Sequence, residues 1–112
     1  MKRYRVIIMP RAERQAEVID AWWREHRVEA ADLFERELVA ATLSLETLPH
    51  SVGSPYRTAR RLLLRRTHHH VYYVVDEARA TVEIRAVWHT WRRTEPALAE
   101  GTSRSRSARA LA

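Results

Sequence analysis

The sequence contains no cysteine and only two glycines among its 112 residues. The lack of cysteine excludes disulfides, metal sites with thiolate ligands and cysteine nucleophiles. No apolar run is long enough to span a membrane, and Ile7-Ile8-Met9 is too short for the core of a secretion signal. We therefore expect one domain, located in the cytoplasm and without a membrane partner.

Lysine is nearly absent, because Lys2 is the only one among 20 basic residues and the other 19 are arginines. The planar guanidinium binds phosphate and carboxylate as a two-pronged fork, so the bias suits an anionic partner, although a GC-rich coding sequence explains it equally well. The net charge of +6 is unevenly distributed: residues 11–48 carry −4, whereas residues 49–96 carry +5. The second half of the chain is therefore the candidate binding half.

Hydrophobic periodicity divides the chain into a strand, two helices and three more strands. The strands are predicted over residues 4–9, 60–66, 69–75 and 81–89, the helices over residues 11–26 and 28–48, and a loop over residues 50–59. The short connection between the helices predicts a helical hairpin. The expected fold is α+β, with that hairpin packed on one face of a small antiparallel sheet in the order β-α-α-β-β-β.

Each predicted helix has one apolar stripe. The stripes consist of Ala12, Ala16, Ile19 and Trp23 in the first helix, and of Ala31, Phe34, Leu38, Ala41, Leu45 and Leu48 in the second. In the last strand, alternation predicts that Val82, Ile84, Ala86 and Trp88 share a face. The apolar parity then shifts from Ile84 to Val87, which predicts a β-bulge near Arg85.

The sheet face that the helices leave uncovered is expected to be basic. Arg61 and Arg65 are predicted to point outward from the strand at 60–66, joined by Arg85 if the alternation holds. Such a surface would attract a polyanion, either a phosphate chain or an acidic protein segment.

Histidines are the other candidate functional residues. His68, His69 and His70 cannot all ligate one ion, because neighbouring strand residues point to opposite faces, and we expect no metal or cofactor. His89 is a better candidate, since Arg85, Arg92 and Arg93 lie close to it in sequence and the group has the parts for phosphodiester cleavage. A histidine satisfied by contacts at the strand end is the simpler interpretation.

Taken together, these segments resemble one family. The stretches RRLLLRRTHHHVYYVV (60–75) and VEIRAVWHTWRR (82–93) resemble the closing sheet of the RelE/ParE superfamily of bacterial toxins. YRVIIMPRAERQAEVIDAWW (4–23) and LETLPHSVGSP (45–55) are similar to the first strand, the helical hairpin and the loop of that superfamily. The resemblance spans residues 4–96 and depends on the order of the segments.

The resemblance implies a small cytoplasmic toxin of a type II toxin–antitoxin system. Residues 1–96 would form the toxin domain, and residues 97–112 a basic, mobile tail. A cognate antitoxin would bind the toxin as a hetero-oligomer and neutralise it. ParE-like members inhibit DNA gyrase, whereas RelE-like members are endoribonucleases that cut messenger RNA on the ribosome.

The departures from the RelE-like pattern favour a ParE-like toxin. The predicted sheet has no lysine, and Trp91 stands where a catalytic tyrosine would be expected. The partner-binding candidates are then Arg61, Arg65, Trp91, Arg92 and Arg93, with no catalytic residue. In the nuclease alternative, His89 is the acid or base, and Arg85 and Arg92 hold the phosphate. A third alternative is a relative without toxicity that pairs with an antitoxin and tunes its own operon.

Overall fold

A computed structural model describes residues 2–90 as a helical hairpin on one face of a five-stranded sheet. This confirms the predicted fold class and the order of its elements. The helices are α1 (Pro10–His26) and α2 (Leu33–Leu45), with a 3₁₀ turn at Val28–Ala30 between them. The strands are β1 (Arg5–Ile8), β2 (Ser54–Tyr56), β3 (Ala59–Leu64), β4 (His69–Asp76) and β5 (Thr81–His89).

The sheet order is β1-β5-β4-β3-β2, and it differs from the prediction in two details. First, β1 runs parallel to β5, so the sheet is mixed. The long crossover through both helices and three strands makes parallel pairing possible. Second, β2 forms inside the predicted loop and pairs with β3, and Pro55 is tolerated there because β2 is an edge strand.

The α1 stripe is confirmed. Pro10 occupies the first turn, where its missing N–H is not needed, and Arg27 N–H closes the helix on Trp23 O at 2.9 Å. Ala12 is fully buried, and Ala16, Ile19 and Trp23 pack partly buried against the same core. The hairpin therefore covers the sheet with the face that the periodicity predicts.

The second helix is shorter than predicted at both ends. Instead of residues 28–48, α2 spans Leu33–Leu45, and Leu48 is about half exposed instead of buried. Pro49 disfavours helical conformation in the residue before it, which accounts for the early end. Phe34, Leu38, Ala41 and Leu45 join the core as expected.

The predicted bulge in β5 is confirmed. Tyr72 pairs with Ala86 and Tyr73 with Ile84, so Arg85 is the extra residue on β5. Val82, Ile84 and Val87 consequently lie in the core under the helices. The prediction that Ala86 and Trp88 share that face is wrong, because the bulge turns both to the opposite face.

The loop between α2 and β2 is fastened to the sheet by Tyr73 and Arg60. The Tyr73 hydroxyl donates to Pro49 O at 2.7 Å, and Arg60 Nη2 donates to His50 O and Gly53 O at 2.7 Å each. A Cβ atom on Gly53 would lie 2.8 Å from Arg61 O and would also meet the Tyr73 hydroxyl. Glycine is therefore required by this close approach.

Neither described helix combines the length and the apolar content that crossing a membrane requires.

The turn between β3 and β4 is capped by a carboxylate from α2. Glu37 accepts hydrogen bonds from Arg66 N–H at 2.8 Å, Thr67 N–H at 3.0 Å and the Thr67 hydroxyl at 2.7 Å. His68, next in the chain, adopts a positive φ of 62°. Three bonds to one charged acceptor hold this strained turn in place.

We expect Glu37→Ala to lower the free energy of unfolding by about 2–3 kcal/mol, because two backbone N–H groups and a buried hydroxyl lose a charged acceptor. Glu35→Ala is the control, since its ion pair with Arg24 is exposed and should contribute about 0.5 kcal/mol or less. Urea unfolding of both variants measures the difference, and equal losses would contradict the assigned role of Glu37.

Candidate functional site

The uncovered face of the sheet carries a cluster of aromatic and basic side chains. Arg61 Cζ lies 4.3 Å from the centroid of the Tyr56 ring, Arg57 Cζ lies 5.3 Å from it, and the Tyr56 and Tyr72 rings are 5.5 Å apart. Tyr72 of β4 and Ala86 and Trp88 of β5 pack below these side chains. We call this group the open-face patch: Tyr56, Arg57, Arg61, Tyr72, Ala86 and Trp88.

Both guanidiniums of the patch lie over one aromatic ring, that of Tyr56. A cation over an aromatic face is attracted by the ring quadrupole and keeps its hydrogen-bonding edge available to a partner. Tyr72, at only 1% exposure, is the buried floor of the patch. The predicted outward orientation of Arg61 agrees with this placement.

Arg85 and Arg65 occupy different environments from Arg61. Arg85 Nη2 donates to Glu83 Oε1 at 2.8 Å, and its side chain is only 20% exposed. That pairing neutralises much of the charge of Arg85. Arg65 lies beyond the end of β3, exposed in the β3–β4 turn. Trp91, Arg92 and Arg93 lie outside the described residues.

On the helix side, two adjoining cavities of about 280 and 680 Å³ form one depression between α1 and the ends of β4 and β5. Both cavities are lined by Val18, Ile19, His69 and His89. We call this depression the α1 groove, and its walls are Val18, Ile19, Trp22, Trp23, His69 and His89. Its rim carries Arg11, Arg14, Arg27 and Arg66.

His89 lies in this groove and not beside Arg85. His89 of β5 is the partner of His69 on the neighbouring strand β4, and the two imidazole centroids are 5.0 Å apart. His69 also contacts Phe34 of α2 at 5.4 Å, which places the pair on the helix side. Arg85, bonded to Glu83, lies on the opposite face, so the structure does not bring together the His89 and Arg85 of the nuclease hypothesis.

The three consecutive histidines are separated as strand geometry requires. His69 is buried on the helix side, His70 lies beside Tyr72 on the open face at 5.9 Å, and His68 lies in the turn. Within residues 2–90, no three histidine, aspartate or glutamate side chains are grouped so as to hold a metal ion.

Sequence reasoning missed one polar cluster, at the other end of the sheet. Glu77 accepts hydrogen bonds from Lys2 Nζ and the Tyr4 hydroxyl, each at 2.7 Å, and also pairs with His50 Nε2. The bonds from Lys2, His50 and Tyr4, in that order, lower the pKa of Glu77 to about 2. No local pattern signals the cluster, because its members are far apart in the chain.

A protein-family model matches most of the chain. Residues 6–93 match the family model described as "ParE toxin of type II toxin-antitoxin system, parDE". No curated protein matches the chain.

Two solved structures are similar to this chain to different degrees. The RelBE2 toxin–antitoxin complex of Mycobacterium tuberculosis contains a chain that is 22% identical and superposes with a TM-score of 0.58, covering 80% of this chain and 93% of that one. The isolated RelE toxin of E. coli is 16% identical with a TM-score of 0.48, covering 93% and 98%. At 22% identity, the first likeness concerns the fold alone.

The buried imidazole predicts a pH dependence of stability. Burial, followed by repulsion from His89, lowers the pKa of His69 from 6.5 to about 4. Between these values the unfolded chain binds a proton that the native chain does not, so stability falls as the pH drops from about 6.5 to about 4. Above that window the contribution of His69 is constant.

We expect the melting temperature of the wild type to fall across this window, and that of His69→Phe to fall less steeply. His26→Phe is the matched control, because it removes an exposed imidazole outside the buried pair. Thermal unfolding followed by circular dichroism at pH 7, 6, 5 and 4 measures the slopes. Equal slopes for His69→Phe and the wild type would show that burial of His69 does not govern acid stability.

Proposed function

Because this chain belongs to the ParE toxin family of type II toxin–antitoxin systems, we propose that it arrests bacterial growth by inhibiting DNA gyrase. A cognate antitoxin neutralises it in a hetero-oligomeric complex, and both the toxin and its target are cytoplasmic. The inhibition is by binding, without a reaction of the toxin's own. The observation that carries this proposal is the open-face patch, considered together with the family match.

The chemistry of the patch supports binding. Arg61 lies over Tyr56 and is half-buried, so its side chain loses less rotational freedom on contact with a partner than an extended surface arginine would. Tyrosine, tryptophan and arginine are the residues that most often dominate binding energy at protein interfaces. We propose that Arg61 and Arg65 contact the target, with Trp91, Arg92 and Arg93 as further contacts.

The arrangement of the candidate catalytic groups also supports a binder over a nuclease. His89 and Arg85 lie on opposite faces, and Arg85 is paired with Glu83. Tyr72 and Tyr73 are both buried, and the Tyr73 hydroxyl is bonded to Pro49 O. The Tyr73 hydroxyl also accepts a hydrogen bond from Arg60 Nε at 3.3 Å, and Arg60 in turn binds the loop carbonyls of His50 and Gly53, so this pair fastens the loop.

We expect purified wild-type protein to inhibit supercoiling by DNA gyrase. For the double variant Arg61→Glu/Arg65→Glu, about tenfold or more protein should be needed for the same inhibition. The two glutamates would repel the acidic surface of gyrase that the arginines are proposed to contact. Arg36→Glu/Arg79→Glu is the matched control, with the same change in net charge at exposed positions on α2 and in the β4–β5 turn. It should inhibit as the wild type does.

A different result would identify the alternative. Growth arrest with intact gyrase activity and with messages cut on the ribosome would establish the endoribonuclease. If the protein is this endoribonuclease, His89→Ala should abolish the growth arrest. If it is a gyrase inhibitor, His89→Ala should leave the inhibition nearly intact. Melting temperatures of all variants separate loss of contact from loss of fold. A wild type that neither slows growth nor affects gyrase would overturn the proposed toxicity.

A further inference from the structure

The turn that joins β2 to β3 carries an arginine in a conformation that arginine rarely adopts. Tyr56 pairs with Ala59, so Arg57 and Thr58 form a two-residue turn between the strands. Arg57 has a φ of 54°, in the left-handed region where glycine or asparagine is favoured and a longer side chain costs conformational free energy. Backbone strain of this kind is concentrated at functional sites, which makes Arg57 a candidate for a role other than folding.

The guanidinium of Arg57 joins that of Arg61 over the ring of Tyr56. The two Cζ atoms lie 5.3 and 4.3 Å from the ring centroid, so two positive charges are held near each other in the open-face patch. We call these three residues the β2–β3 clamp. Within residues 2–90, neither arginine of the clamp forms an ion pair, whereas Arg85 is paired with Glu83. An acidic group brought by a partner would therefore be attracted by both guanidiniums.

The surroundings of the clamp favour a protein carboxylate over the phosphates of DNA. Leu63 lies two residues after Arg61 on β3, so the two side chains share the open face, and Leu63 is 41% exposed. Leu63 and Trp88 are the cross-strand neighbours of His70 on that face. A DNA backbone is charged along its whole length and would leave these apolar side chains unmatched, whereas a protein surface can place an acidic residue beside apolar ones.

We propose that the β2–β3 clamp binds an acidic side chain of gyrase, with Arg57 and Arg61 as hydrogen-bond donors and Tyr56 as the residue that positions them. This inference rests on the proposed gyrase inhibition and adds Arg57 and Tyr56 to the contacts assigned there. An arginine donates parallel N–H bonds to a carboxylate, and two neighbouring guanidiniums offer one acidic group more donors than a single arginine does. The turn keeps Arg57 beside Arg61 before the target arrives, which lowers the entropy cost of binding.

Arg57→Asn separates binding from folding, because asparagine adopts the left-handed conformation at lower cost. The variant should melt at the same temperature as the wild type or higher, yet about fivefold or more protein should be needed to inhibit supercoiling by gyrase. Arg79→Asn is the matched control, since it removes the same charge from the exposed β4–β5 turn. The control should change the inhibitory concentration less than about twofold. Equal inhibition by the two variants would overturn the inference.

Tyr56→Phe and Tyr56→Leu test whether the ring positions the arginines. Phenylalanine keeps an aromatic face and should inhibit as the wild type does, whereas for leucine about threefold or more protein should be needed. In the Tyr56→Leu background, Arg57→Asn should weaken inhibition less than it does alone, because the two residues act as one unit. Additive losses would overturn the positioning role of Tyr56. Thermal unfolding identifies losses that come from the fold, and Arg57→Asn decides the inference if Tyr56→Leu unfolds.

Two probes separate recognition of a carboxylate from recognition of DNA. Fluorescence anisotropy at low salt should show that a labelled poly-L-glutamate peptide binds Arg57→Asn about threefold or more weakly than Arg79→Asn, although the two variants have the same net charge. A short labelled DNA duplex should bind these two variants equally. Equal binding of the peptide by both variants would overturn the inference. Loss of duplex affinity confined to Arg57→Asn would overturn it in favour of DNA.

Failure of the gyrase proposal is distinguishable from failure of this inference. A wild type that does not inhibit supercoiling overturns the proposed function and the assignment of the clamp to gyrase, whatever the peptide shows. A wild type that inhibits, together with an Arg57→Asn variant that inhibits equally, overturns the clamp alone.

Discussion

The extra residue in β5 determines which side chains reach each face of the sheet. Strict alternation from Val82 would have turned Ala86 and Trp88 toward the helices and Val87 and His89 toward the open face. The bulge at Arg85 reverses that parity for the rest of the strand. Trp88 thereby joins the open-face patch, and His89 joins His69 in the α1 groove. Both candidate surfaces depend on the bulge, because each includes one residue of β5 that follows it. That residue is Trp88 in the open-face patch and His89 in the α1 groove.

The part of β5 beyond the bulge also lies past the end of its parallel neighbour, because β1 pairs only as far as Ile84. An unpaired strand edge is a liability, and α1 covers this one. Gln15 Oε1 accepts the Val87 N–H at 2.8 Å, so a helix side chain replaces the missing strand at that position. The α1 groove begins at this junction and continues along α1. It is therefore a consequence of the short β1 and of the way α1 crosses the sheet.

The features that follow from local periodicity were predictable. The α1 stripe, the three long strands and the bulge near Arg85 all come from spacing within one element, which the sequence displays directly. The features that depend on contacts between distant residues were not predictable. Leu48 was assigned to a helix that Pro49 cuts short, and β2 is too short to leave a pattern. The Glu77 cluster joins residues 2, 4, 50 and 77, and no single window of the sequence contains more than two of them.

The open-face patch and the α1 groove lie on opposite faces of the sheet, yet they meet at one strand end. Trp88 on the open face and His89 in the groove are adjacent in β5, so groups bound on the two sides lie one sheet thickness apart. Charge follows the same division of the fold, because residues 11–48, which contain the hairpin, carry a net charge of −4, and residues 49–96, which include β2–β5, carry +5.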